Sequence, residues 1–178
     1  LRHYGFVALL VTGLVASTPA RRAAVTPTPP GPVPRTCPSG PAPRVISAGF
    51  GPVIGRAPVW ASGFVRGPVL HLGAGGPRDH NAHGWERKVL WIIQPGYTHL
   101  VTLRGGALGT GAPLWFEIGN RPAGTAPVLN PRHPVIPAGE ASWGVQFPAF
   151  LDVPRAGCYF LQARWPGGHW RLTFAAGR

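Results

Sequence analysis

The stretch Cys158–Ala175 reads CYFLQARWPGGHWRLTFA, and its periodicity decides the fold. In the first half Tyr159, Leu161 and Ala163 alternate with Cys158, Phe160 and Gln162. In the second half Trp170, Leu172 and Phe174 stand opposite His169, Arg171 and Thr173. A period of two belongs to half-buried strands, whose successive side chains point to opposite faces. Pro166-Gly167-Gly168 supplies the turn between the halves, so the stretch reads as an antiparallel hairpin.

Moving towards the N-terminus, Pro113–Ile118 (PLWFEI) sets Leu114, Phe116 and Ile118 on one face and Trp115 and Glu117 on the other. Lys88–Ile93 (KVLWII) is an apolar run short enough for a core strand. Gln94-Pro95-Gly96 then turns the chain into Thr98–Arg104 (THLVTLR), and Gly105-Gly106 punctuates its end. Val45–Phe50 and Trp60–Leu72 read as strands broken by Gly and Pro. With 26 Gly, 23 Pro and no sustained apolar period of 3.6, long helices are disfavoured. The expectation is an all-β domain, a small antiparallel two-sheet sandwich of the immunoglobulin-like kind with roughly seven strands. An open barrel is the alternative.

The rest of the chain sets the domain organisation. Arg2 and His3 precede an apolar run, Tyr4–Val15, and small residues follow up to Ala20. That order is the pattern of a secretory signal peptide, assigned to residues 1–20. The run has about 12 residues, whereas a spanning helix takes about 20, so a retained membrane anchor is the weaker reading. Residues 21–43 are Pro-rich and read as an extended spacer, because proline fixes φ and removes backbone donors. Residues 44–178, about 135 in all, match the size of one domain.

Cys37 and Cys158 are the two cysteines. In an exported chain they allow one intramolecular pairing, and an oxidising compartment lets it persist. The order Cys37, Gly51-Pro52-Val53, Lys88–Trp91, Pro95-Gly96-Tyr97, Leu103-Arg104-Gly105 and finally Val153-Pro-Arg-Ala-Gly-Cys-Tyr159 resembles a group of exported β-sandwich proteins of GC-rich bacteria with a late PxxGCY segment. The resemblance spans about Thr36 to Phe174. It implies a sandwich and a Cys37–Cys158 bond, and it brings no catalytic residues with it. The chain departs from that pattern at Arg78–His83 and at Gly139–Phe147.

The formal net charge of +12 comes from 17 basic and 5 acidic residues, and Lys88 is the single lysine. The basic residues are scattered rather than clustered with stacking aromatics, which disfavours a nucleic-acid surface. Outside the cell, diffuse positive charge instead gives weak attraction to anionic surfaces.

Chemistry has few candidates. Asp79, His80 and His83 are suitable zinc ligands, yet they sit in a Gly-flanked loop where solvated histidines need no metal. No Gly-x-Ser-x-Gly segment is present. Trp85, Trp115 and Trp143 are the tryptophans placed to meet a ligand: Trp115 shares a face with Glu117, and the other two read as loop residues. Trp91 and Trp170 read as core. The sequence therefore points to a secreted or extracytoplasmic, non-enzymatic domain in a binding or structural role, without a cofactor. Its expected partner is a cell-wall glycan or an envelope protein. The alternative is a metal-dependent hydrolase built on Asp79, His80 and His83.

Overall fold

The computed structural model describes residues 27–38, 40, 42–46, 51–64, 67–138 and 143–178. The expected signal peptide and residues 21–26 of the expected spacer lie outside these, as do residues 47–50 of the expected Val45–Phe50 strand. Within the described residues the strands are β1 (Val53–Arg56), β2 (Val59–Ser62), β3 (Val69–His71), β4 (His80–Asn81), β5 (Gly84–Ile93) and β6 (Val101–Ala107). They continue with β7 (Trp115–Ile118), β8 (Arg121–Gly124), β9 (Val128–Leu129), β10 (Val145–Val153), β11 (Gly157–Trp165) and β12 (Gly168–Gly177). A single 3-10 turn, Gly76–Asp79, precedes β4.

Two sheets form. The first runs β1-β2-β5-β10-β7-β8, with β4 paired to the start of β5. The second runs β3-β12-β11-β6-β9. All pairs are antiparallel except β3 with β12, which is parallel, so the expected antiparallel sandwich holds with that one exception. The expected hairpin is β11–β12, in register from Gly157↔Ala176 to Trp165↔Gly168.

The inner faces meet in one core. Trp91, Phe116 and Leu151 of the first sheet pack against Leu103, Leu161, Leu172 and Phe174 of the second, all at or below 1% exposure. Burying each such side chain contributes about 1.5–3 kcal/mol before chain entropy is set against it. Trp170 joins the layers: its ring stacks on Trp91 at 6.0 Å, and its indole N–H donates to the Val59 carbonyl at 2.9 Å.

Three sequence expectations change for local reasons. Gly105-Gly106 is not a break but lies within β6, where a Cβ on Gly105 would meet Leu114 at 2.9 Å and Leu161 at 3.0 Å. Glycine is there for close packing. Trp60–Leu72 divides into β2 and β3 about its Gly and Pro residues, as expected, whereas Val45 and Ile46 form no strand. Strand β10 is not among the strands expected from the sequence, and Pro148 stands in its middle. The Pro148 carbonyl accepts from the Gly119 N–H at 2.8 Å, so the side of the backbone lacking a donor faces the end of β7. No ladder bond to β5 is lost there, and proline is tolerated.

The cysteines are bonded, Cys37 to Cys158, with Cα atoms 5.5 Å apart. Cys158 alternates with the buried Tyr159 and Leu161, so it lies on the outer side of the second sheet. This is not the inter-sheet bridge of immunoglobulin domains. It fastens the Pro-rich segment to the sandwich instead. The Gly31 carbonyl accepts from the Arg178 N–H at 2.8 Å and the Pro38 carbonyl from the Thr173 hydroxyl at 3.1 Å. Residues 27–38 thus lie against the domain rather than holding it at a distance.

The bond spans 121 positions, which in the chain-entropy picture stabilises the fold by about 4–5 kcal/mol. Replacing both cysteines with serine is expected to lower the unfolding free energy by most of that amount, measured by urea titration against the oxidised parent. Coincident curves would contradict this reading of the staple.

Candidate functional site

Strands β5, β10 and β7 lie side by side, and their register assembles a polar group that sequence spacing conceals. Asp152 sits opposite Glu86 on one side and Trp115 on the other. One row along, Phe150 sits opposite Lys88 and Glu117. Since successive side chains alternate, these residues share the outer face of the first sheet, while Val89, Leu151, Val153 and Phe116 point into the core.

The hairpin from β4 to β5 folds over the end of this face. Asn81 holds the turn: its side-chain oxygen accepts from the backbone N–H groups of His83 at 2.7 Å and Gly84 at 3.2 Å. Its amide nitrogen donates to Glu86 Oε1 at 2.9 Å. Gly84 has φ +132°, and a Cβ there would run into the Val153 carbonyl, so only glycine permits this approach. The turn delivers His83 onto Trp115, with ring centres 4.0 Å apart and planes 5° from parallel. His83 is exposed and Trp115 half-buried, so the pair forms an aromatic platform at the surface.

Asp152 has the opposite character. It is fully buried, and neither carboxylate oxygen has a hydrogen-bond partner of good geometry. Burial pushes its carboxyl up to about 6; the Asn81 side chain offsets part of this, the charges of Glu86 and Glu117 add to it, and His83 opposes it. A carboxyl in this position carries its proton well into the mildly acidic range.

The expected site residues are distributed as follows. Trp115 stands on the outer face as its alternation implied. Trp85 is not a loop residue: it is the second residue of β5, is 4% exposed, and meets His80 edge-on at 4.9 Å. A shallow cavity of about 170 Å³, bordered by Pro27, Pro30 and Leu72, adjoins it. Trp143 is half-buried and packs edge-on against Trp60 at 5.1 Å, near Ile92 and Leu90. It precedes the Val145 end of β10, whereas Trp85 and Trp115 sit at the Val153 end. The three tryptophans do not form one surface.

The expected zinc ligands diverge too. Asp79 accepts from the Gly75 backbone N–H at 2.7 Å, His80 packs on Trp85, and His83 stacks on Trp115. Among the described residues no group of three or more His, Cys, Asp or Glu is arranged to hold a metal ion.

Glu86 and Asp152 are the residues that reading the sequence missed as partners. Asp152 meets Glu86 only through the pairing of β10 with β5, which no sequence spacing signals.

No family model and no curated protein matches the chain. Among solved structures, the chain is similar to one described as a "Putative Lipoprotein from Bacillus anthracis". The two share 12% identity over 79% of this chain and 86% of that one, with a TM-score of 0.44.

Asp152 holds its proton more tightly in the folded than in the unfolded chain. Stability should therefore rise as pH falls from about 6 towards the ordinary carboxylate range, and level off below it. Asp152→Asn is expected to stabilise the protein near neutral pH by at most about 2 kcal/mol and to remove that slope. Urea titrations across the window check this; a parent that gains stability with rising pH would refute it.

Proposed function

We propose that the chain works outside the cytoplasm as a non-enzymatic binding domain of the cell envelope, taking a hydroxyl-rich ligand such as wall glycan on the outer face of its first sheet. The observation that carries this reading is the His83–Trp115 platform. A flat, partly exposed aromatic surface stacks on sugar rings, and nearby carboxylates accept hydrogen bonds from sugar hydroxyls. Glu86 and Glu117 are placed for that role on the same face and are only partly buried. The rigid strands beneath supply a preorganised support.

The Cys37–Cys158 bond supports an extracytoplasmic setting, since such bonds persist where thiols are not kept reduced. The resemblance to exported sandwich proteins with a late PxxGCY segment agrees with it. Catalysis by the Glu86–Asp152 pair is the less favoured reading. A glycosidase needs two carboxyl groups flanking an accessible cleft, and Asp152 is wholly shielded.

Pull-down of the protein with purified cell-wall glycan tests the proposal. Binding is expected to fall about 5- to 30-fold in His83→Ala and in Trp115→Ala, the amount of about 1–2 kcal/mol for one lost stacking contact. Retained binding in both variants, with both still folded by circular dichroism, would overturn it. So would an absence of binding by the parent.

A further inference from the structure

The positive charge that looks scattered along the chain is gathered by the second sheet. Strands β3, β6, β9, β11 and β12 contain no Asp or Glu. Gln162 sits opposite Arg104 on one side and Arg171 on the other. The adjacent row runs Val128, Thr102, Arg164, His169 across four strands. Arg104, Arg164 and Arg171 alternate with the buried Leu103, Ala163, Trp170 and Leu172, so all three stand on the outer face, and all three are exposed. Arg171 lies 4.0 Å above the Phe160 ring, which fixes its guanidinium on this face.

Opposed residues on neighbouring strands are about 5 Å apart, so the arginines occupy a patch roughly 10 Å across. The acidic side chains of the described residues lie elsewhere, with Glu86, Glu117 and Asp152 on the far side of the sandwich. Among the described residues, no acidic side chain of the second sheet's strands offsets the positive field. The Pro-rich segment crosses the same outer side, bonded at Cys158 and Thr173, and leaves the arginine end uncovered.

We propose that this face docks on a membrane surface bearing anionic lipid headgroups. Charge complementarity argues for an anionic partner. Two exposed aliphatic side chains argue for a lipid surface over a soluble polyanion. Val128, on the arginine face, is 54% exposed, and Leu100, directly before β6, is 52% exposed. Such groups gain from the headgroup boundary and gain nothing from a polymer in water. The proposal is independent of the glycan platform, which belongs to the opposite face.

The test is co-sedimentation of the intact chain with vesicles of phosphatidylcholine alone and of phosphatidylcholine mixed with phosphatidylglycerol. The neutral vesicles set the baseline for any contribution from the apolar N-terminal run. Stronger binding to the anionic vesicles is expected, declining with salt. Arg104→Gln/Arg164→Gln/Arg171→Gln should weaken that excess roughly a hundredfold, at about fivefold for each arginine. The corresponding triple lysine variant should retain it. Lys88→Gln/Arg121→Gln/Arg155→Gln removes equal charge elsewhere and should change it little. Equal loss in the two glutamine variants would reduce the effect to net charge and overturn the docking face. So would equal binding to both vesicles. Tight binding to soluble polyphosphate, with no weakening on vesicles in Leu100→Ser/Val128→Ser, would overturn the lipid in favour of a polymer.

Discussion

The molecule depends on the closure of two apolar sheet faces over one another. Neither sheet is stable with its inner face in water, and each supplies what the other must cover. Trp170 shows how the closure is made specific. Its ring stacks on Trp91 across the interface, and its N–H satisfies the Val59 carbonyl. A buried indole donor without an acceptor would cost about 1–3 kcal/mol, so the bond discriminates against slippage of one sheet over the other. Everything at the surface, including both charged faces, takes its position from that registration.

The fold class was legible because alternation survives in a single sequence. The β11–β12 hairpin and the face of β7 could be assigned from the period of two, since the residues on each face are chemically unlike. Gly and Pro inside strands are what a single sequence conceals. At Gly105 the absent Cβ serves packing, and at Pro148 the absent donor falls where β7 has ended. Both depend on neighbours distant in sequence. Missing β10 also hid the candidate site, because Asp152 meets Glu86 and Trp115 only through that strand. Trp115 itself was legible, through the face it shares with Glu117.

The two outer faces have opposite chemistry. One gathers carboxylates, an amide and a stacked His–Trp pair, and the other carries arginines without a single acid on its strands. Asp152 is where the first face departs from good folding practice, since a buried carboxyl without a well-aligned hydrogen-bond partner lowers stability at neutral pH. Charge separated across a thin sandwich gives the domain a preferred orientation in any field that a charged surface sets up.

Strand β12 lies inside its sheet, between β3 and β11, and Cys37 finds its partner only at position 158. During synthesis the N-terminal strands emerge first. Until residues 168–177 follow, Trp91 lacks the Trp170 ring, Val59 lacks the indole donor, and β3 lacks its neighbour. The second sheet is therefore complete only when the last strand is available. The disulfide, joining residue 37 to residue 158, likewise closes only after nearly the whole chain has been made.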